Sequence, residues 1–256
     1  VPVFPMSARL GGNIYLQTSA EYRACCYEIY KCAELRLEMV LERANPKFTK
    51  PTVVMDLDET VFGNSAFQTF LYSNNLEYTG DLWADYEENY SQDVTLIPGA
   101  KQFIEKAESL GVTVVFISNR SELYKKSTES ALERLGIATT NLAGRLYLKP
   151  KSGSSDKSPR REAVAAKYNV LMYFGDNLRD FSESFAAKKL PNDAMPEDYL
   201  KAIEHRESLA DDAVCHWGED WFVLPNPVYG EWEKLIGPNS IAILHPTSMK
   251  LKVPAP

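Results

Sequence analysis

A short apolar run that ends in two aspartates, one residue apart, is the feature that most constrains the fold. Residues 52–55 are apolar or β-branched, and Asp56 and Asp58 follow directly. Side chains alternate along a strand, so residues two positions apart point the same way. We therefore predict that both carboxylates project from the carboxyl end of a buried strand, where open α/β sheets bind their ligands. A solvated turn is the plain alternative, since Asp is common where strands end.

Further apolar runs alternate with helical patterns along the chain. Runs typical of strands cover 112–117, 146–148, 170–174 and 221–224. Strands that alternate with helices at this spacing indicate βαβ units. The predicted fold class is α/β, a doubly wound parallel sheet with a small, mostly helical cap region.

Composition divides the chain into three parts. Residues 1–47 are predicted to form an N-terminal helical segment that packs on the core. Residues 48–187 form the core, with an aromatic-rich cap insertion at 61–95. Residues 188–256 supply a last core strand and a tail, with disorder expected from about Lys250.

The N-terminal segment carries a clear helix signal only in its second half. We expect an irregular stretch over 1–17, because Gly11 and Gly12 interrupt it. A capping box beginning at Thr18 and an amphipathic pattern then predict a helix from about 19 to 44.

The chain has four cysteines: Cys25, Cys26, Cys32 and Cys215. Cys25 and Cys32 are about 10 Å apart along the predicted helix, too far for a disulfide. Buried free thiols are the expectation, and a long-range bridge to Cys215 stays open.

The charge balance excludes some classes of partner. The chain carries 28 basic and 35 acidic residues, a formal net charge of −7. That charge argues against binding of a nucleic acid polymer. It also means that an anionic substrate would need a local cation or a metal. No apolar run approaches the roughly 20 residues of a membrane span.

Polar clusters follow four of the predicted strands, and they would meet at one edge of a parallel sheet. The clusters are Asp56 with Asp58, Ser118, a lysine within 149–157, and Asp176 with Asp180. Grouped carboxylates suit a hard cation, most plausibly Mg²⁺. A hydroxyl and an ammonium group suit phosphoryl oxygens, because phosphoryl transfer needs positioning and charge neutralisation. One aspartate could act as nucleophile and the other could move a proton.

These residues, in this order, resemble the four motifs of the haloacid dehalogenase superfamily. The motifs are Asp56-Leu-Asp-Glu-Thr60, Ser118, Lys157 and Gly175-Asp176-x-x-x-Asp180. A receiver domain also uses acids, a hydroxyl and a lysine, but it lacks the last motif. Stretches 17–22, 117–120 and 224–232 look like those of bacterial class C (DDDD) acid phosphatases, which are related to secreted or lipoprotein 5′-nucleotidases.

The resemblance implies a Mg²⁺-dependent phosphomonoesterase with an acidic optimum and broad specificity, nucleoside monophosphates included. Its partner would be a small-molecule phosphomonoester, with a homo-oligomer possible. It also implies a secreted, periplasmic or outer-membrane-associated protein. Alternatives are a phosphotransferase or a narrow 5′-nucleotidase on the same site, or a non-catalytic binding or storage protein. The retained Asp56 argues against the last of these.

Residue roles also follow from the resemblance. Asp56 would be the nucleophile and a metal ligand. Asp58 would be the general acid and base, with its backbone carbonyl on the metal. Asp176 would bind the metal directly and Asp180 through water.

Substrate would be held by Ser118, Lys157, Asn119, Trp83 and Tyr229, the last two as a base-stacking pair.

The sequence departs from the family's pattern in two places. Residues 152–155 stretch the lysine motif, so Lys149 and Lys151 compete with Lys157, which is favoured because a predicted helix follows it at once. Gly63 stands where an acidic residue is usual.

Overall fold

The structure is a computed structural model that describes residues 6–44, 47–137, 141–191 and 193–236. The helices are α1 (Met6–Thr18), α2 (Ala20–Arg43), α3 (Ser65–Ser73), α4 (Gly80–Asn89), α5 (Ala100–Ser109), α6 (Lys125–Arg134), α7 (Ser158–Ala165) and α8 (Pro196–Asp212). The strands are β1 (Pro51–Met55), β2 (Phe62–Gly63), β3 (Thr95–Leu96), β4 (Thr113–Ser121), β5 (Leu146–Lys149), β6 (Asn169–Gly175) and β7 (Trp221–Val223).

Five of these strands form one parallel sheet in the order β5-β4-β1-β6-β7. The chain runs outward from β1 to one edge and then returns to build the other, so β1 lies at the centre. Alternate residues of β1 face opposite sides, as a strand requires: Val53 and Met55 join the larger core, whereas Val54 joins the smaller one. The predicted α/β fold with a parallel sheet is confirmed.

Helices cover both faces of the sheet. The larger core holds the buried face of α2, including Leu37, and that of α5, including Phe103. On the other face, Val164 of α7 packs with Val54 and Val115. Because both faces of the sheet are buried, the central strands are continuous apolar runs in the sequence.

The segment between β1 and α5 forms a cap over one end of the sheet. It contains α3 and α4, and also a two-stranded antiparallel ribbon, β2 with β3, that the sequence did not predict. Phe67 of α3 packs against Trp83 and Tyr86 of α4, with ring centroids 5.2 and 4.9 Å apart. Gly63 lies in the ribbon, where an added Cβ would be 2.7 Å from Thr95 Oγ1.

The expectation of an irregular N-terminus is wrong, because Met6–Thr18 is helical. Gly11 and Gly12 lie inside α1. Tertiary contacts outweigh their poor helix propensity: Asn13 Nδ2 donates to Thr69 Oγ1 at 2.9 Å, which docks α1 on the cap. Residues 1–5 lie outside the described residues.

The cysteine expectation is correct only in part. All four are free thiols, but only Cys26 is buried, while Cys25, Cys32 and Cys215 are exposed. Cys26 lies on the side of α2 that faces the core, together with Tyr22 and Tyr30. Cys25 and Cys32, on the same helix, point away from that side.

Two further expectations concern the chain as a whole. Within the described ranges, no helix combines the length and the apolar character needed to cross a membrane. The disorder expected from about Lys250 lies outside the described residues. The division into segments 1–47, 48–187 and 188–256 stays a prediction.

The N-cap of α2 gives a direct test of local structure. Ser19 Oγ, not the predicted Thr18, accepts the Tyr22 N–H at 3.0 Å, whereas Thr18 Oγ1 donates to Ile14 O within α1. We expect Ser19→Ala to lower the free energy of unfolding by about 1 kcal/mol. Thr18→Ala, the matched control, should cost less than about 0.5 kcal/mol. Urea denaturation measures both, and the reverse ranking would contradict this assignment.

Candidate active site

Three strands bring the predicted motifs to one edge of the sheet. Asp56 follows β1 and Asp176 follows β6, the neighbouring strand. Ser118 was expected just after a strand, but it lies inside β4, which continues to Ser121. The pairing of β4 with β5 shifts register between Ile117 and Ser121, so β4 bends locally while it remains paired.

A buried lysine joins two of the aspartates. Lys157 Nζ lies 2.6 Å from Asp56 Oδ1 and 2.6 Å from Asp180 Oδ1. All three side chains are buried. The competing lysines do not reach this point, since Lys149 is half-buried on β5 and Lys151 is exposed. The structure therefore brings Lys157, of the three, to the cluster.

The stretched loop before Lys157 is held by its own network. The Lys157 N–H donates to Glu183 Oε1 at 2.9 Å. Arg179 contacts both the Glu183 carboxylate and the loop. Its Nε lies 2.8 Å from Glu183 Oε2, and a terminal nitrogen lies 3.1 Å from Ser155 Oγ. These contacts fix the start of α7, so four extra small residues do not displace the lysine.

Three carboxylates converge beside Lys157. Oxygens of Asp56, Asp176 and Asp180 all lie within 4.8 Å of one another. Burial raises the pKa of Asp56 to about 7 against the opposing effect of Lys157. Burial, with the charges of Asp180 and Asp56, raises the pKa of Asp176 well above its usual range. Asn226 Nδ2 donates to Asp176 Oδ2 at 2.8 Å and fixes that carboxylate.

Asp58 meets a different cation. Arg120 Nε lies 2.8 Å from Asp58 Oδ1, and Asn64 Nδ2 donates to the same oxygen at 2.9 Å. Arg120 is wholly buried, with its guanidinium over the rings of Phe62 and Trp83 at 5.0 and 5.5 Å. The strand ends at Met55 before the alternation reaches Asp58, and the two aspartates consequently bind separate partners.

Ser118 and Asn119 connect β4 to Asp58 and to α7. Ser118 Oγ lies 3.4 Å from Asp58 Oδ2. Arg160 donates to the Ser118 carbonyl and to Asn119 Oδ1, both at 2.6 Å. Asn119 Nδ2 donates to the Ser155 carbonyl at 3.1 Å. Both ends of the Asn119 side chain are thus bonded to groups that position the lysine loop.

Glu59 controls the turn that carries Asp58. Its φ is 58°, in the left-handed region, and its side chain is buried. Glu59 Oε1 accepts the Asn64 N–H at 3.0 Å and the Tyr229 hydroxyl at 3.3 Å. Burial raises the pKa of Glu59 to about 7. This carboxylate therefore ties the turn to the segment after β7.

The two predicted stacking aromatics lie on different elements. Trp83 is on α4 and packs within the cap, where its indole N–H donates to Glu87. Glu87 also accepts the Ser121 N–H at 3.0 Å, which fastens the cap to the end of β4. Tyr229 approaches from the segment after β7, and its hydroxyl donates to Glu59 in the turn that carries Asp58.

Sequence reasoning missed five residues that support the predicted ones: Asn64, Glu59, Arg120, Arg160 and Asn226. The first three lie next to the motifs, but nothing in a single sequence pairs Arg120 with Asp58. One neighbouring signal was readable: Gly175 precedes Asp176, and an added Cβ there would lie 2.2 Å from Asp180 Oδ2. A glycine directly before Asp176 therefore indicates that the backbone there lies very close to the Asp180 side chain.

Comparisons with known proteins define the class of this fold and site, a phosphomonoesterase built on a parallel α/β sheet. The family model for the HAD superfamily, subfamily IIIB (Acid phosphatase), matches residues 7–232. The chain belongs to this family.

Two solved structures are similar to the whole chain. One is the class C acid phosphatase from Bacillus anthracis, at 29% identity and a TM-score of 0.76, over 90% of this chain and 89% of that one. The other is the class C acid phosphatase from Bacillus anthracis with tungstate bound, at 28% identity and a TM-score of 0.78, over 96% and 93% of the two chains. The resemblance read from the motifs is confirmed.

The raised pKa values predict a pH-dependent stability of the metal-free protein. Because the folded-state pKa of Asp56 lies above its unfolded value, the folded state binds more protons between about pH 4 and pH 7. Stability of EDTA-treated protein should therefore fall as the pH rises through this window, by a few kcal/mol in order of magnitude. A divalent cation should restore it, and more at neutral pH than at acid pH.

Thermal melting across this range, with EDTA and with Mg²⁺, measures the effect. Asp56→Asn is the control, since it removes one of the titrating groups and should reduce the slope, while Asp176 and Glu59 supply the remainder. A melting temperature that rises towards neutral pH in EDTA would contradict the prediction.

Proposed function

We propose that the protein is a Mg²⁺-dependent acid phosphatase that hydrolyses phosphate monoesters through a phosphorylated Asp56. The observation that carries this proposal is the contact of Lys157 with Asp56 and Asp180 inside a group of three carboxylates. A cation beside a nucleophilic carboxylate and a hydroxyl at Ser118 form a receptor for a phosphoryl group. One of the similar structures holds tungstate, an oxyanion, which supports the same reading.

The donor set fits a hard divalent cation. Carboxylate oxygens are the ligands that Mg²⁺ prefers, and it uses few of them. Asp56, Asp176 and Asp180 would hold the ion, with the Asp58 carbonyl as a further donor. Burial and the charges of Asp180 and Asp56 together raise the pKa of Asp176, and a cation would relieve both effects. When bound, the ion would neutralise charge on the phosphoryl oxygens.

In the first step, a carboxylate oxygen of Asp56 attacks phosphorus. The bond from phosphorus to the ester oxygen breaks, and a bond from phosphorus to Asp56 forms. Lys157 and Ser118 orient the phosphoryl oxygens. Asp58, in its protonated form, gives its proton to the departing ester oxygen, so the leaving group is a neutral alcohol.

In the second step, water attacks the phosphorus bound to Asp56. Asp58 now takes a proton from that water, Asp56 departs as a carboxylate, and inorganic phosphate is released. Arg120 and Asn64 hold the same Asp58 oxygen, so the group that moves the proton keeps one orientation through both steps. Transfer to an alcohol instead of water would give the phosphotransferase alternative.

Two further parts of the proposal rest on family membership alone. The resemblance to class C acid phosphatases implies a secreted, periplasmic or outer-membrane-associated protein, and we propose that location. The same resemblance is the basis for proposing a homo-oligomer.

Exchange of either aspartate tests the mechanism. Asp56→Asn should lower kcat for p-nitrophenyl phosphate by about 10⁴-fold or more, because the nucleophile is lost. Asp58→Asn should lower kcat by about 10²–10⁴-fold, the usual worth of acid–base catalysis. Steady-state kinetics at acidic pH, with excess Mg²⁺, measures both.

The phosphorylated intermediate separates the two variants. Asp58→Asn should accumulate phosphate on the protein in a rapid-quench experiment, and Asp56→Asn should not. Circular dichroism checks that both remain folded. Wild-type turnover in Asp56→Asn would exclude the proposal.

Nucleoside 5′-monophosphates are a proposed substrate class, since Trp83 on the cap and Tyr229 after β7 each offer an aromatic ring for stacking. Trp83→Leu should raise the ratio of KM for AMP to KM for ethyl phosphate about three- to tenfold, the worth of one stacking contact. Phe67→Leu is the matched control, because it removes a buried ring from the same cluster. Equal changes in both variants would assign Trp83 to cap packing only.

A further inference from the structure

We propose that α1 determines specificity for aromatic phosphate esters, by fixing the backbone that presents Tyr229, and that Gly12 is the positioning residue. This inference rests on the proposed function, in which the Tyr229 ring contacts substrate. Gly12 itself lies outside the catalytic cluster. It belongs to a helix that the sequence did not predict at all.

The contact between α1 and the segment after β7 is closer than any side chain would permit. A Cβ added at Gly12 would lie 2.5 Å from the Pro227 carbonyl oxygen and 2.9 Å from its carbon. It would also lie 3.3 Å from the Val228 Cα. All three are backbone atoms, so the neighbour cannot yield by a rotamer change. Only glycine allows α1 to seat against this segment.

The segment that Gly12 touches leads directly to the site. Asn226 Oδ1 accepts the N–H groups of Val228 and Tyr229 at 3.0 and 3.3 Å. The Asn226 amide in turn donates to Asp176, and the Tyr229 hydroxyl donates to Glu59. Val228 is fully buried between these anchors. A shift of Pro227 would therefore pass to Tyr229 within two residues.

α1 also contacts the cap, which carries Trp83. Asn13 bonds Thr69 on α3, and Arg9 pairs with Glu77 of the cap and with Glu233 beyond Tyr229, both at 3.2 Å. One helix thus spans the two parts of the chain that carry Trp83 and Tyr229. Its seating determines how far apart they lie.

Gly11 provides a control inside the same helix. It is exposed, and an added Cβ there meets nothing within 4 Å. Gly11→Ala and Gly12→Ala therefore bring the same gain in helix propensity. They differ only in the contact with Pro227.

The test compares kcat and KM for phenyl phosphate and ethyl phosphate in the full-length protein with excess Mg²⁺. Gly12→Ala should raise KM for phenyl phosphate about three- to tenfold, the worth of one aromatic contact. The ratio of KM for phenyl phosphate to KM for ethyl phosphate should rise by the same factor, because any effect that passes through Asn226 to Asp176 acts on both esters alike. Gly11→Ala should match the wild type with both esters. Amide hydrogen exchange at Val228 and Tyr229 should accelerate in Gly12→Ala only.

Tyr229→Leu separates this inference from the proposed function. If Tyr229→Leu loses selectivity for phenyl phosphate and Gly12→Ala does not, the role of α1 is overturned while the phosphatase proposal stands. If Tyr229→Leu keeps full selectivity for phenyl phosphate, the Tyr229 ring does not contact substrate, and the proposed role of α1 is excluded as well.

A milder variant covers the case in which Gly12→Ala does not fold. Arg9→Ala removes both ion pairs of α1 without adding an atom, and it should raise KM for phenyl phosphate in the same direction. An unchanged KM ratio in Arg9→Ala would then overturn the proposal.

Discussion

The bridge from Lys157 to Asp56 and Asp180 is the interaction on which the rest of the site depends. A buried ammonium group is costly unless carboxylates surround it, and buried carboxylates are costly without a cation. Despite burial, which opposes it, Asp180 and Asp56 raise the pKa of Lys157, so the lysine stays charged. The bridge joins the end of β1, the start of α7 and the turn after β6. Removal of one partner would leave the others unpaired at the centre of the sheet edge.

The same logic explains how Asp56 and Asp58 can lie one residue apart and differ in chemistry. Asp56 is balanced by Lys157, and Asp58 by Arg120. This divergence is possible because the strand ends at Met55 and the chain then enters a turn in which Glu59 is left-handed. A regular strand would have kept both side chains on one face, with one set of neighbours. Local backbone strain beside a reacting residue is a common feature of active sites.

Much of this arrangement was readable from sequence, because apolar runs ending in Asp, Ser or Gly-Asp mark strand ends in a parallel sheet. This pattern locates the aspartates and Ser118, whereas Lys157 is favoured among three lysines because a predicted helix follows it at once. Partners that come from remote parts of the chain were not, since Arg120 and Asn226 pair with Asp58 and Asp176 only through the fold. The error at α1 has the same origin. Local propensity disfavours a helix with two adjacent glycines, and α1 depends on tertiary contacts such as those of Gly12 with Pro227 and of Asn13 with Thr69.

Two layers of the molecule therefore follow different rules. The charged layer is built from side chains at strand ends, which short sequence motifs record well. The layer that would select substrate is built from α1, the cap and the segment after β7, held by packing and by hydrogen bonds such as Glu87 to Ser121. On the proposal made for α1, substrate preference would change through residues, such as Gly12, that lie outside the charge cluster.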